Sequence, residues 1–410
     1  MQKGLLLKVL IAMAGAALAG LTLDPQGIVI RGLGLVGKLF LNALMLVVVP
    51  LVVSSIITGT AKIGSEPSFG TMGRKTFGAC IVTNLTAILI GWLLVIMIQP
   101  GLSVHPLSSG ASRELEILAQ GDALSKIEMV LTRLIPSNIL YAAAHTQMLG
   151  LILFSLLFGY FTSQIESQPA SILIGFWKGL FQVMMKMTHF IMRALPLGVF
   201  ALVAHAIAST GAEALQSVGM FAFTVVAGLV VYGLILLTAL KVLSGVSPRA
   251  HLKAIAPALA TAFSTSSSAA TLPVMMESLE KAGGISNRIC SFTLPLGTSV
   301  NLAGSALQTC VAVFFIAQVY GMTLDFPLQL MIVGMTLLTS LASAGIPSAS
   351  LISVMMIAQT IGLPVEGVGL ILALERLLDM ARTTLNVLTN SCSAVFVARA
   401  EGERTLLIEN

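Results

Sequence analysis

Forty consecutive residues, from Phe326 to Val365, contain no Asp, Glu, Lys or Arg. A crossing of the bilayer's hydrocarbon core needs about 20 predominantly apolar residues, so this run is long enough for more than a simple span. Other charge-free runs are Leu39–Ala61, Thr76–Ser112, Leu134–Ile165, Ala194–Ala212, Ala214–Leu240, Ala254–Met276 and Ile289–Leu324. Charged residues make up only 10% of the 410-residue chain, against about 25% in a soluble domain. The chain therefore reads as an all-α polytopic membrane protein. Lys3 and Lys8 precede an apolar run in residues 1–19, which fits a signal peptide or a first helix; the number of spans that follow favours the helix. Basic residues collect in short connectors: Lys62, Arg74 and Lys75; Lys241, Arg249 and Lys253; Lys281 and Arg288; Arg399 and Arg404. The positive-inside rule puts these connectors and both termini in the cytoplasm, and the polar stretch 101–128 outside. The net charge of +5 is thus a topology signal and not a nucleic-acid footprint. Cys80, Cys290, Cys310 and Cys392 lie in apolar segments without metal spacing, as buried thiols do.

Within this apolar context, Glu375, Arg376, Asp379 and Arg382 fall inside eight residues. A charge in hydrocarbon costs about 3 kcal/mol or more, so an intramembrane ionisable residue is a functional-site hypothesis by default. At about 100° per residue, Glu375, Asp379, Arg382 and Asn386 share one helical face, with Arg376 pointing elsewhere. Such a face suits a small zwitterion carrying an extra carboxylate. Arg382 would pair an anion, Asp379 an ammonium, and Asn386 would bond either.

The first half of the chain predicts spans at about 4–22, 33–61, 76–99, 135–165, 170–206 and 216–242. The fifth contains Lys178, Lys186 and Arg193, which would snorkel or mark a tilted helix. The second half is irregular. Residues 264–273 and 340–350 are small, hydroxyl-rich and proline-containing inside apolar surroundings. Small-residue helix packing explains either one alone. Two of them, flanking a helix interrupted at Asn301-Leu302-Ala303-Gly304-Ser305, favour re-entrant hairpins, whose half-helix ends bind ions and substrates.

The serine-rich tip Ser266–Pro273, the run Thr293–Asn301, the tip Ala344-Gly345-Ile346-Pro347 and Leu378-Asp379-Met380-Ala381-Arg382-Thr383 resemble the dicarboxylate/amino acid:cation symporter family. Ile135-Pro136-Ser137-Asn138 also fits. The resemblance implies eight transmembrane helices, two re-entrant helical hairpins and inverted repeats, assembled as a homotrimer working by an elevator mechanism. It divides the chain into scaffold helices 1–2 (1–75), transport-domain helix 3 with an extracellular loop (76–133), scaffold helices 4–5 (134–210) and the rest of the transport domain (211–410). By the same resemblance, Arg382 grips the substrate's side-chain carboxylate and Asp379 its amino group. Thr383, Asn386 and Ser305 flank the substrate, Ser267 and Ser268 lie at the first hairpin tip, and Gly345 and Ile346 lie at the second. Having both Arg382 and Asp379 implies an acidic amino acid, glutamate or aspartate, imported across a bacterial inner membrane, with a C4-dicarboxylate as the alternative.

The sequence departs from the family's helix-7 signature, which usually reads Asn-Met-Asp-Gly-Thr. Here Leu302 and Ala303 replace the methionine and the sodium-binding aspartate. Asn390 stands where a second sodium-binding aspartate is common, and Cys80, beside Thr83 and Asn84, replaces a tyrosine. Hard cations want anionic oxygen, so only a weak sodium site is expected, drawing on Gly297, Ser299, Asn301, Ser343 and Asn390. Proton coupling is the leading expectation, with sodium as the alternative. Glu375, one turn before Asp379 and in place of a family aspartate, is the candidate carrier because burial disfavours its charge, with simple pairing to a lysine or arginine as the alternative; Thr309 occupies the position of the animal relatives' proton-carrying glutamate. No cofactor is expected.

Gly32-Leu33-Gly34-Leu35-Val36-Gly37-Lys38 imitates a nucleotide loop, but Leu39 replaces the required hydroxyl residue and helix packing explains it. The five histidines are scattered and read mostly as interfacial or loop residues. An anion channel and an intramembrane serine hydrolase are the rival functions. Saturable counterflow would exclude the first. The second lacks a base within the Ser266–Ser268 segment, so the chain is not expected to be an enzyme.

Overall fold

The computed structural model describes residues 2–24, 27–64, 71–102, 132, 134–210, 213–342 and 349–403. These are almost entirely helical. The first elements are α1 (Gln2–Thr22), α2 (Ile28–Gly64) and α3 (Thr71–Ile98). Next come α4 (Ile139–Ala144), α5 (Met148–Thr162), α6 (Ser167–Met192), α7 (Leu195–Thr210) and α8 (Glu213–Ser244). The second half holds α9 (Pro248–Thr265), α10 (Ser268–Lys281), α11 (Asn287–Val300), α12 (Ala303–Val319), α13 (Phe326–Ala342), α14 (Ala349–Ile361) and α15 (Val368–Ala400).

Among the described residues, four stretches are long and apolar enough to cross a membrane: Ile28–Ala61, Thr71–Ile98, Gln216–Ser244 and Asn287–Val319. Ser167–Met192 with Leu195–Ala208 makes a fifth if the bent pair counts as one span. That pair corrects the expected span at 170–206, because it bends by 55° at Arg193–Ala194. The expected span at 135–165 is also broken. Thr146 takes a left-handed φ of 51° between α4 and α5, a conformation that cannot continue a helix.

Inside these helices, hydroxyls satisfy themselves on the preceding turn. Thr58 donates to the Ser54 carbonyl at 2.7 Å, Ser155 to Leu151 at 2.6 Å and Thr224 to Met220 at 2.7 Å. This removes the cost of an unmade hydrogen bond away from water. The glycine run that imitates a nucleotide loop lies within α2, where Gly37 faces Leu202 of α7. All four cysteines are buried and free.

Two packing groups emerge. Helices α1, α2, α5, α6 and α7 pack on one another, while α3 and α8 to α15 form the second group around α12 and α15. Helix α12 is predominantly apolar and buried from Leu307 through Phe315, Gln308 and Thr309 included.

Helices α9 and α10 form the first hairpin. Ser266 closes α9 in the left-handed region at φ 48°, donating its N–H to the Ala262 carbonyl at 2.8 Å. Ser267 is extended, and its hydroxyl caps α10 by accepting from the Ala270 N–H at 3.2 Å. An N-cap serine satisfies one of the orphan donors of a helix start. Helices α13 and α14 flank the second tip, and α14 packs against α12, α13 and α15. Residues 343–348 of that tip, including Ser343, Gly345 and Ile346, lie outside the described residues, as does most of the expected external loop.

The break between α11 and α12 at Asn301–Leu302 is held from both sides. Asn301 accepts from Thr83 of α3 at 3.0 Å and donates to Ser393 of α15 at 3.1 Å. Asn84 donates to the freed Val300 carbonyl at 3.2 Å. Two residues later, a Cβ on Gly304 would stand 2.8 Å from the Arg382 carbonyl oxygen. Only glycine lets α12 and α15 approach there, and Gly304→Ala should lower stability by about 1–3 kcal/mol through overpacking. A thermal melt of the detergent-solubilised protein measures it; an unchanged melting temperature would contradict this close approach.

Past the end of α15, Glu401 accepts from Lys75 at 2.7 Å and Arg288 at 3.1 Å, tying together the starts of α3 and α11. The Lys75 hydrogen bond, aided by the charges of Lys75 and Arg288, holds the Glu401 carboxyl below its ordinary 4.5. A depressed carboxylate stabilises above its ordinary value, and that stability is lost as pH falls through the folded value. Glu401→Gln should therefore show a weaker loss of melting temperature than the wild type on acidification from neutrality to about pH 3.

Candidate functional site

The cluster read from the sequence is assembled on one face of α15. Arg382 and Glu375 are each only 2% exposed, where an unpaired charge would be costly. Their pairing is direct: Arg382 Nη2 donates to Glu375 Oε1 at 2.7 Å. The same nitrogen donates to Asp379 Oδ1 at 2.8 Å, and Nε reaches that oxygen at 3.0 Å. One guanidinium thus serves two carboxylates one helical turn apart, as i, i+3 and i, i+4 spacing allows.

Arg376 corrects the sequence reading that it points away. Its Nη1 lies 3.4 Å from Asp379 Oδ2, because a long side chain at i,i+3 spacing can curl back along the helix. Asp379 also receives a long contact from the Thr383 hydroxyl at 3.4 Å. Asn386, one turn further on, accepts from the Gly304 N–H at 2.8 Å and donates to Ser305 Oγ at 3.2 Å. It ties the start of α12 to the same face.

Two residues complete the cluster that the sequence reading did not name as ligands. Gln308 of α12 donates from Nε2 to Glu375 Oε2 at 2.9 Å. Ser350 of α14 donates to Glu375 Oε1 at 3.2 Å and accepts from Arg382 Nη1. Gln308 is four residues after Gly304, on the α12 face that meets Arg382, a placement visible only once the helices are packed. Ser350 lay inside the hydroxyl-rich segment, but which hydroxyl reaches the charge pair depends on how the hairpin arm returns. Glu375 Oε1 and Oε2 are both satisfied, whereas Gln308 Oε1 has no hydrogen-bond partner among the described residues.

The other expected residues form two further groups. Ser267 and Ser268 stand at the first hairpin tip, with no hydrogen bond to the charged cluster among the described residues. Gly297 and Asn390 meet directly, since a Cβ on Gly297 would lie 2.6 Å from Asn390 Oδ1. The Asn390 side chain is 2% exposed and neither its Nδ2 nor its Oδ1 has a hydrogen-bond partner among the described residues. Asn84 Oδ1 is in the same condition. Buried polar atoms without partners are rare and ask for an explanation. Ser299 donates to the Pro295 carbonyl at 3.2 Å. No group of three or more His, Cys, Asp or Glu side chains suited to a metal occurs among the described residues.

His251 departs from the expectation for the histidines, being fully buried. Its Nε2 lies 2.9 Å from Ser391 Oγ. Ser391 also donates to the Leu388 carbonyl at 2.7 Å, and Cys392 Sγ lies 3.6 Å from the same ring nitrogen. This fastens the base of the first hairpin to α15.

The charge pair has a measurable consequence. Arg382→Gln leaves Glu375 and Asp379 without their main counter-charge and should cost about 3–5 kcal/mol of stability. Adding Glu375→Gln should recover part of that loss. Thermal unfolding of the single and double variants gives the coupling, and strictly additive losses would contradict the pairing.

Residues 5–400 match the family model for the sodium:dicarboxylate symporter family. The chain is 32% identical over 373 residues to a proton/sodium-glutamate symport protein of Geobacillus stearothermophilus, covering 90% of this chain and 87% of that one. It is 32% identical over 378 residues to the proton/glutamate-aspartate symporter of Escherichia coli, covering 91% and 86%. It is also similar, at 29% over 408 residues, to a C4-dicarboxylate transport protein of Bacillus subtilis, covering 98% and 94%.

Proposed function

The chain belongs to the sodium:dicarboxylate symporter family, and on that footing we propose that it imports L-glutamate or L-aspartate by symport with protons. The family is one of transporters, and the relatives named for proton-coupled glutamate and aspartate symport support the substrate class. The observation that carries the reading is the pairing of Arg382 with Glu375 at 2.7 Å.

The coupling follows from charge. A substrate carboxylate binds a guanidinium best through two parallel N–H donors. At Arg382 those donors are held by Glu375, Asp379 and Ser350. An incoming anion therefore displaces Glu375. The displaced carboxylate stays buried and loses its counter-charge, a condition that a proton relieves. Anion and proton enter together because each removes the penalty of the other. Asp379 keeps its charge and receives the substrate ammonium, with Thr383, Asn386 and Ser305 beside it. Ser267, Ser268, Gly345 and Ile346 would close over the bound molecule from the two hairpin tips.

In this reading α1, α2 and α5 to α7, within residues 1–75 and 134–210, are the scaffold of a homotrimer. Helices α3 and α8 to α15, within 76–133 and 211–410, are the transport domain that moves as an elevator. The topology is eight membrane helices with two re-entrant hairpins, both termini cytoplasmic, in a bacterial inner membrane. The packing groups support this division.

Sodium is the second reading. The unpartnered oxygens of Asn390 and Asn84 favour it, with Gly297, Ser299 and Asn301 as further candidates among the described residues and Ser343 a candidate by resemblance alone. All are uncharged, which suits a weak site for a hard cation.

Radiolabelled glutamate and aspartate uptake into proteoliposomes tests the proposal. An inward proton gradient without sodium should drive accumulation in the wild type. Glu375→Gln should lose most of that proton-driven accumulation, and retention of full pH-driven uptake would remove Glu375 as the carrier. Strict dependence on sodium would overturn the proton reading in favour of the asparagine cluster. Arg382→Cys should lose acidic substrates, and unchanged aspartate affinity would contradict the assignment.

A further inference from the structure

Ser350 is the second residue of α14, the arm that returns from the second hairpin tip. It is 1% exposed, and the residues that follow it, Leu351 to Val354, are buried as well. Its hydroxyl is the point at which this arm touches the charged cluster. A hydroxyl has one proton to give and two lone pairs. Here the proton goes to Glu375 Oε1 at 3.2 Å, and a lone pair accepts from Arg382 Nη1. The donor pattern fits only while Glu375 is an acceptor and sits on Arg382.

The charged groups that face Glu375 are Arg382 and Asp379, both on its own helix. Helix α12 offers it the Gln308 amide and α14 the Ser350 hydroxyl. The position of the hairpin arm and the internal pairing of Arg382 are therefore parts of one arrangement. A ligand carboxylate that takes the Nη1–Nη2 edge of Arg382 must displace Glu375 and Ser350 together. The Nε edge is held by Asp379 at 3.0 Å.

We propose that Ser350 is a positioning residue that seats the hairpin arm on the internally paired Arg382–Glu375 site, so that the protein can reorient without cargo. This rests on the reading of Arg382 as the acidic-substrate site. In any alternating-access carrier, net uptake requires reorientation both with and without cargo, whereas exchange of labelled for unlabelled substrate requires only the loaded form. Loss of the Ser350 hydroxyl weakens the cargo-free arrangement alone. It also removes a competitor for Arg382, so apparent substrate affinity tightens.

The experiment compares net proton-driven uptake of labelled L-aspartate with exchange in proteoliposomes preloaded with unlabelled L-aspartate. Wild type, Ser350→Ala and Ser350→Thr are measured side by side, with L-glutamate as a second substrate. The ratio of net uptake to exchange should fall about fivefold or more in Ser350→Ala, in line with a lost hydrogen bond to a charged group. The KM for exchange should fall at the same time. Ser350→Thr, which keeps the hydroxyl, should return the ratio towards wild type. Equal losses of net uptake and exchange in the alanine variant would overturn the proposal, as would an unchanged ratio. A threonine variant behaving like alanine would also overturn it. If the wild type itself exchanges neither substrate, the acidic-substrate reading fails and the proposal falls with it, an outcome separate from a failure at Ser350 alone.

Discussion

Everything distinctive in the second half of the chain depends on keeping one guanidinium charged in a place that water does not reach. Arg382 is 2% exposed, and its planar fork cannot shed its proton to escape the cost. It must be answered by acceptors at every donor. Glu375 and Asp379 supply charge, and Ser350 supplies a lone pair. The close approach of Gly304 to the Arg382 backbone brings α12 near enough for Gln308 to reach Glu375. Asn386 then fixes the start of α12 through Gly304 and Ser305. The start of α12, the hairpin arm and α15 are thus arranged around a single charge.

A second, uncharged polar region lies further along α15. Asn390 meets Gly297, Asn301 bridges Thr83 and Ser393, and Ser391 bonds His251. Amides and hydroxyls fill these positions, so this part of the membrane interior carries polarity without net charge. The two regions differ in what they can exchange with water. In the proposed mechanism the first trades one anion for another and takes up a proton. The second can offer only neutral oxygens to a cation, and the partnerless Asn390 and Asn84 atoms are where such oxygens are left over.

The sequence made the membrane class legible because charge-free runs longer than a bilayer have few alternatives. It also made the charged face legible, since Glu375, Asp379, Arg382 and Asn386 follow helical spacing; the first three meet in one network, while Asn386 bonds Gly304 and Ser305 of α12. Other features depend on tertiary placement. The break at Thr146 carries no proline or glycine beside it, while the 55° bend near Arg193 is marked by Pro196 in the first turn of α7, a signal that apolar content overrode when each pair was merged into one span. Arg376 was assigned by its direction around the helix, but its side chain is long enough to return to Asp379. His251 looked like a connector residue because it follows Arg249 and precedes Lys253, yet the hairpin packs it against α15. Ser350 and Gln308 come from separate helices, and only the folded arrangement shows which polar side chains converge on Glu375.

In the proposed mechanism, the pairing at Arg382 links acidic substrate selectivity to proton coupling. A site with arginine and no internal carboxylate would hold an unmatched buried charge whenever it lacked an anion. A site whose carboxylate were fixed would never release the arginine to a substrate. Glu375 avoids both problems because it is held by hydrogen bonds from three different helices, and not by Arg382 alone. It can lose the guanidinium while Gln308 and its surroundings still hold it in place. What it cannot do at 2% exposure is remain charged without compensation. In the proposed mechanism the proton follows from that geometry, taken up because the substrate has claimed the guanidinium of Arg382.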